Sequence, residues 1–327
     1  MPIDAGRLPR PNTVADRILW VYAIPIVLIH VLALAAVLPW LFSWTGVIVM
    51  ILGVHVFGQG INVGYHRLLT HRSFDTPRSV EYGLVLLALC CLQDTPARWV
   101  ANHRHHHKHS DTRPDPHSPL VNFFWSHVGW LLMFNSGIHT LSSYQANIPD
   151  LIRDPFYRKL EKRPSLVFWI YLAHAVLYLL VGMAIGAALA GPGVDRSLVA
   201  VQSGLSLVVW GVLVRTVVVW HITWSVNSLS HMFGYRSYAT GEESRNNWLV
   251  ALLTVGEGWH NNHHHDPASA SNQHRWWELD VSYYEIKLLE KLGLASRVLP
   301  PRHIRRGSAA PAAPAESLSE VVGSTVG

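Results

Sequence analysis

The sequence predicts an all-α integral membrane protein: four transmembrane helices in two hairpins, with a cytosolic helical cap that holds a histidine-rich site. Three observations carry this. Of the 327 residues, 50% are hydrophobic and only 14% charged, against roughly 25% charged in an average soluble domain. Four apolar runs reach the length of about 20 residues that crosses a bilayer. The 21 histidines gather where those runs end.

Taken in order, residues 1–18 are polar and proline-containing and read as a cytosolic N-terminus. The apolar run behind them is too long for a signal-peptide core and lacks a small-residue cleavage site, so it is expected to stay in the mature chain. The spans are expected at about 19–40, 44–65, 166–190 and 198–224. Spans one and two are joined without Lys or Arg, and spans three and four by "GPGVDR". Nearly all Lys and Arg lie in the N-terminus, in 66–165 and beyond 225, and the positive-inside rule places those three pieces in the cytoplasm. Residues 19–300 thus form one membrane domain, with a cap built from 66–165 and 225–300. Val80–Leu92 is too short to span and reads as an interfacial or buried helix. Arg215 interrupts span four and is expected near an interface or inside protein, because a lipid-facing position would be costly. Residues 301–327 are low-complexity and are expected to be a disordered tail. Cys90 and Cys91 are adjacent, which excludes a CxxC site and a disulfide framework. The net charge of +5 is small and dispersed, and gives no case for nucleic acid.

The histidines have a pattern. His103, His106 and His107 read H-x-x-H-H, and so do His260, His263 and His264. Positions i, i+3 and i+4 share one helix face, so each box aims three imidazoles at one point, and imidazole suits Zn, Cu, Fe and Ni. "HRLLTH" adds His66 and His71. On an ideal helix these sit about 140° apart, so a helix end or distorted turn is expected there. "NSLSH" adds Asn227 and His231, one turn apart. Nine imidazoles exceed the four ligands of a mononuclear zinc site, which implies two metals. A solvated basic loop would explain "HRHHHKH" alone, but not the repetition of the box far along the chain. His30, His55, His174 and His221 lie in or near spans and read as packed or hydrogen-bonded residues. His105, His109 and His265 read as bystanders of the runs. His117, His127, His139, His274 and His303 have no spacing argument.

Together "HRLLTH", "HRHHHKHSDTRPDPH", "FFWSHVGWLL", "NSLSH" and "GEGWHNNHH" resemble the membrane fatty acyl desaturases of the stearoyl-CoA Δ9 type, over about residues 15–300. The resemblance implies a bacterial multi-pass inner-membrane enzyme with its active site on the cytoplasmic side and two iron ions as cofactors. O2 would be the co-substrate and a fatty acyl-CoA or acyl-lipid the substrate. One iron would be held by His66, His71, His103, His107 and His263. The other would be held by His106, His231, His260 and His264, with Asn227 reaching it through a water. Redox-inactive zinc cannot drive removal of hydrogen from an unactivated methylene, whereas iron with O2 and two electrons can. Glu257, Asp111 and Asp115 lie beside the boxes in sequence and are candidates to orient imidazoles.

The resemblance also implies that Gln93, Trp99 and Thr223 line the bend of an acyl tunnel, with Trp220 and Trp224 beside it. The tunnel would run down span two past Asn62, Gly58 and Val54, where small residues leave room for C16 and C18 chains. Ala101 stands where the animal acyl-CoA enzymes carry an arginine, which leaves an acyl-lipid or acyl-carrier substrate open. Electrons are expected from a separate protein of ferredoxin, rubredoxin or cytochrome b5 type. Two rivals are set aside for test: a membrane diiron hydroxylase of acyl chains or alkanes, and a His-rich metal transporter or buffer.

Overall fold

A computed structural model describes residues 8–308. Helix α1 (Trp20–Ala33) ends in a short 3₁₀ turn, Leu34–Val37. Helix α2 (Trp44–Gln59) starts at Ser43, whose side chain accepts from the Gly46 N–H, and passes without a break into a π-helix, Gly60–Thr70. Helices α3 (Arg78–Leu89) and α4 (Pro96–His109) follow; Thr95 caps α4, and Pro96 sits in its first turn, where a missing N–H costs nothing. Helix α5 (Pro155–Lys162) leads into α6 (Ser165–Leu189). Helix α7 (Arg196–Val208), a π-helical turn (Val209–Val214) and α8 (Arg215–Met232) form one continuous rod. Between α4 and α5 lie short helical turns, among them Trp125–Gly129, Ser136–His139, Leu141–Tyr144 and Pro149–Arg153, and beyond α8 come α9 (Trp248–Leu253), α10 (His260–His265), α11 (Val281–Lys291) and α12 (Arg302–Ser308).

Among the described residues four helices are long and apolar enough to cross a membrane: Trp20–Val37, Trp44–Thr70, Ser165–Leu189 and Arg196–Met232. The last two pack through glycine, since a Cβ on Gly182 would lie 2.8 Å from Gly204 Cα. The outer faces of the first three rods expose Val21, Ile24, Leu28, Leu52, Leu177 and Leu180, as lipid-facing surfaces do. Arg215 lies inside protein. Its guanidinium donates to the carbonyls of Gly211 and Cys90 and sits 4.3 Å over the Phe57 ring, so this charge does not face lipid.

Four boundaries differ from expectation. The second and fourth rods run on past Tyr65 and Trp224, because the polar residues that end the hydropathy signal are buried on the cap side. The first rod stops at Val37, where Leu38 turns extended ahead of Pro39. The tail does not begin as disorder at 301. Helix α12 is ordered, and Arg305 pairs with Asp266; residues 309–327 lie outside the described part. The chain also holds one two-stranded antiparallel pair, β1 (Val14–Ile18) with β2 (Met133–Asn135), in register Val14↔Asn135. It ties the polar N-terminal segment to the cap.

The main core lies where α2, α3 and α4 meet the cap, with Tyr65, Leu69, Val85, Leu89, Ala97 and Ile286 sealed. Helix α3 is the short run at Val80–Leu92, and it packs one face, Glu81, Val85, Ala88 and Leu89, into the core rather than spanning.

Candidate metal centre

The π-helix resolves the odd spacing of the first box. Its hydrogen bonds run from i+5 to i, and the His71 N–H donates to the His66 carbonyl at 3.1 Å. Two histidines five apart therefore come to one face, with ring centroids 4.8 Å apart. On α4, His103 and His107 point one way and His106 the other. Helix α10 splits likewise, with His263 on one side and His260 and His264 on the other. His231, near the end of α8, joins the second side.

The result is two convergent sets: His66, His71, His103, His107 and His263, and His106, His231, His260 and His264. Within each set the ligating nitrogens all lie within 4.8 Å of one another. Neighbouring Nε2 atoms are 3.1 Å apart for His66–His263, His103–His107, His231–His260 and His260–His264, and 3.0 Å for His107–His263. Two ligands about 2.1 Å from one ion and at right angles would stand about 3.0 Å apart. The other ring nitrogens of two of these histidines meet carboxylates: His66 Nδ1 is 2.8 Å from Glu257 and His231 Nδ1 is 2.8 Å from Asp111. With the N–H on Nδ1, the Nε2 atoms of His66 and His231 present a lone pair to the centre. His71 Nε2 and His106 Nε2 are buried without a partner. Such arrangements are costly unless a cation sits between the nitrogens. This donor set fits two imidazole-bound metal ions.

The carboxylates divide between the sets. Glu257 bridges His66 to Arg67, which is buried and also holds Asp280 at 2.9 Å and the Ala270 carbonyl at 2.7 Å. Arg67 beside it keeps the Glu257 carboxyl ionised, lowered to about 2 against the pull of burial. Asp115 contacts His106 Nδ1 at 3.1 Å and Asp111 contacts His231. Asp111 is lowered to about 2 although burial opposes it, because of His231 and the Glu243 N–H. Glu242, which sequence spacing did not reveal, stands 3.7 Å from His264 Nδ1. Buried His117, 4.3 Å ring to ring from His106, was also missed. Its neighbour Asp115 lies in the turn that follows α4, so the run "DTRPDPH" was the available signal. Burial first, and neighbouring imidazoles second, hold His71, His103, His107, His260, His263 and His264 well below the ordinary histidine value. Neutral imidazole is the form that ligates.

A cleft runs from this site between α2 and α8, lined by Val54, Gly58, Asn62, His66, Trp99, His103, Val219, Thr223, Asn227 and His260, among others. Its far end is apolar, as ligand pockets commonly are. A Cβ on Gly58 would meet nothing within 4 Å, whereas one on Gly60 would strike Ala88 N at 2.4 Å. Gly60 serves helix packing and Gly58 leaves space. Gln93 lies outside the lining but donates to Thr223 at 3.0 Å and accepts from Trp99 at 3.4 Å, joining three elements beside the cleft. Trp220 and Trp224 do not line the cleft. They stack at 5.7 Å on the opposite flank of α8, and Trp220 donates to the Cys91 carbonyl. The helix period puts 219, 222, 223, 226 and 227 on one face and turns 220 and 224 away from it. Val255 lines the cleft in the left-handed region at φ 54°, a conformation that costs a β-branched residue about 1–3 kcal/mol. It precedes Gly256 and Glu257 and sets the direction in which the carboxylate approaches His66.

His105 and His109 turn away from both sets and lie 4.7 Å from each other, and His265 stacks on Tyr238 at 3.8 Å. His30 and His221 are hydrogen-bonded together, and His174 meets Arg215. His55 differs from these, since it lines the cleft and pairs with Glu285.

Comparison with known proteins bears on the same residues. A fatty acid desaturase family profile matches residues 38–292. The sn-1 stearoyl-lipid 9-desaturase of Anabaena variabilis is 42% identical over 287 residues, 86% of this chain and 94% of that protein. The sn-2 palmitoyl-lipid 9-desaturase of Nostoc sp. (strain 36) is 38% identical over 94% of this chain and 100% of its own length. The acyl-CoA 5-desaturase of Anemone leveillei is 40% identical over 85% of this chain and 78% of that protein.

Proposed function

Since the chain belongs to the fatty acid desaturase family, oxidoreductases that act on fatty acyl chains in membranes, we propose that it is an O2-dependent Δ9 desaturase of membrane acyl-lipids with two irons in its two histidine sets. The observation that carries this is the joining of one buried imidazole centre to one largely apolar cleft. The two similar lipid 9-desaturases favour position 9 and a lipid carrier, and Ala101 takes no part in holding a CoA group. In this reading the enzyme sits in a bacterial inner membrane with the site towards the cytoplasm, a sidedness that the Lys and Arg distribution supports. A ferredoxin, rubredoxin or cytochrome b5 type donor supplies electrons.

Iron bound there would provide the oxidising power that an unactivated methylene demands. The chain's own residues do the rest. The nine histidines would hold the centre, with Asn227 reaching it through a water, and Glu257, Asp111 and Asp115 would fix the imidazole tautomers. Trp99, Thr223 and Gln93 brace the bend, so that one C–C bond lies beside the centre and the methyl end lies along Gly58 and Val54. Buried Tyr65, Leu69 and Val219 keep bulk water from the reacting carbons. The substrate gives up two hydrogens; O2 takes these and two donor electrons with two protons, and leaves as two waters.

The test is expression in a desaturase-deficient host, with double bonds mapped in its lipids. A cis bond at carbon 9 is expected, in both C16 and C18 chains. Gly58→Leu should shift product from C18 towards C16 with protein level maintained. An alcohol as product would mark a hydroxylase, metal uptake without lipid product would mark a transporter or buffer, and either result would contradict the reading.

A further inference from the structure

The cleft is closed at one end and open at the other. At the metal end its lining is sealed, with His260 3% and Glu257 5% exposed. At the far end Ile51 is 59% and Leu253 50% exposed, and both line it. These two residues belong to surfaces that face lipid. Ile51 lies on the same rod as exposed Ile48 and Leu52, and Leu253 ends α9, whose Trp248, Leu249 and Leu252 are also exposed. The mouth is therefore continuous with the membrane-facing surface of α2.

A polar pair stands in this apolar rim. His55, eleven residues into α2, lines the cleft, and its Nε2 is 2.6 Å from Oε1 of Glu285 on α11. One turn along the same helix Ser282 donates to Gln59 at 3.0 Å. An ionisable residue within a span is costly unless partnered and marks function more often than packing. Here both partners remain partly open, at 39% and 33% side-chain exposure, unlike the sealed pairs around the metal centre. The pair joins a membrane rod to a cap helix across the edge of the mouth. The exposed Leu288 and Leu292 on α11 continue the apolar rim.

We propose that the His55–Glu285 pair latches a lateral mouth of the cleft, through which the acyl chain of a membrane lipid slides in sideways from the bilayer. This rests on the assignment of the cleft to the acyl chain. A chain esterified to a lipid keeps its headgroup at the interface, so it reaches a buried site with least dehydration by moving within the membrane. Parting of α11 from α2 opens the slit, and re-forming the hydrogen bond closes it over the bound chain.

The test reads binding rather than turnover, so it stands apart from the identity of the product. The full-length chain with His55→Cys and Glu285→Cys is placed in vesicles and bridged by a reductant-cleavable dithiol-specific linker. Cys90 and Cys91 are buried and do not compete. The probe is phosphatidylcholine with a nitroxide on its stearoyl chain. An immobilised spectral component is expected before bridging, at least fivefold smaller after it, and restored by reductant. An unchanged component after bridging would overturn the proposal. So would an immobilised component obtained only with nitroxide-labelled stearoyl-CoA added from water and indifferent to the linker. His55→Phe, which fills the mouth by bulk, is the second variant. It should lose the immobilised lipid component while eluting as the folded parent does, and keeping that component would count equally against the latch.

Discussion

The two histidine sets are built alike at the nitrogens and differently behind them. In the five-histidine set the outer carboxylate, Glu257, is tied to Arg67, whose charge is shared with Asp280. Around the four-histidine set stand Asp111, Asp115 and Glu242, and the groups that hold Asp111 and Asp115 besides histidine are neutral: the Ser118 hydroxyl and the N–H groups of Glu243, Asp111 and His117. One set thus has its carboxylate charge partly offset by a buried cation, whereas the other presents its carboxylates without one. The lesson is that repeated H-x-x-H-H boxes do not make equivalent sites. The set with fewer imidazoles has more carboxylates to orient them, and Asn227 lies beside it.

Removing a ligand should have the largest effect in either set. His106→Ala and His264→Ala in one, and His71→Ala in the other, should each abolish desaturation in a lipid product assay, whereas His274→Ala should not. Full activity in any of the three ligand variants would remove that residue from the centre.

Arg67→Met comes next, and it separates the sets. It leaves Glu257 and Asp280 buried without their cation, a change that costs about 3–5 kcal/mol in similar settings. Thermal unfolding of the purified chain should show this loss, and no basic residue of the second set should match it. A variant as stable as the parent would show that the network contributes nothing to the fold.

Asp111→Asn and Glu257→Gln sharpen the contrast. Each should weaken metal retention or turnover by about 10–100-fold. The Asp111 change should fall on one metal only, because His231 alone contacts that carboxylate among the imidazoles at hydrogen-bond distance. Equal loss of both metals under chelator challenge would deny that the sets are independent.

Acid acts on the metal-free chain alone. The six imidazoles held below the usual histidine range are neutral when folded, and protonate near 6.5 when unfolded. The unfolded chain therefore binds more protons as pH falls, and the metal-free protein loses stability as pH drops through about 6.5. Each imidazole that stays neutral contributes about 1.4 kcal/mol per pH unit below that point. Above about pH 7.5 the term vanishes. Unfolding temperatures of the stripped protein from pH 8 to 5 should be level and then fall; a flat profile would mean that the imidazoles are not held neutral.

Much of this architecture is written locally. A span shows as a run of apolar residues, and a box on a helix shows as spacing, so the four rods and the positions of His103, His106, His107, His260, His263 and His264 can be read from short windows. His66 and His71 show what such reading assumes, because their pairing depends on a π-helix whose hydrogen bonds no propensity announces. Glu242, Arg67–Asp280 and His55–Glu285 meet partners 22 to 230 residues away, and contacts of that kind leave no periodic trace. Trp220 and Trp224 read as substrate-facing by resemblance alone, and the turn of α8 carries them to the other flank. The β1–β2 pair escaped because five residues of mixed polarity, "VADRI", find their partner far along the chain.

The account turns on two metals in two sets, and a metal count per chain tests that most directly. Protein purified without chelator should hold about two irons per chain by elemental analysis, and His106→Ala about one. A parent with one metal or none under conditions where it makes product, or a His106→Ala variant that keeps two, would contradict it.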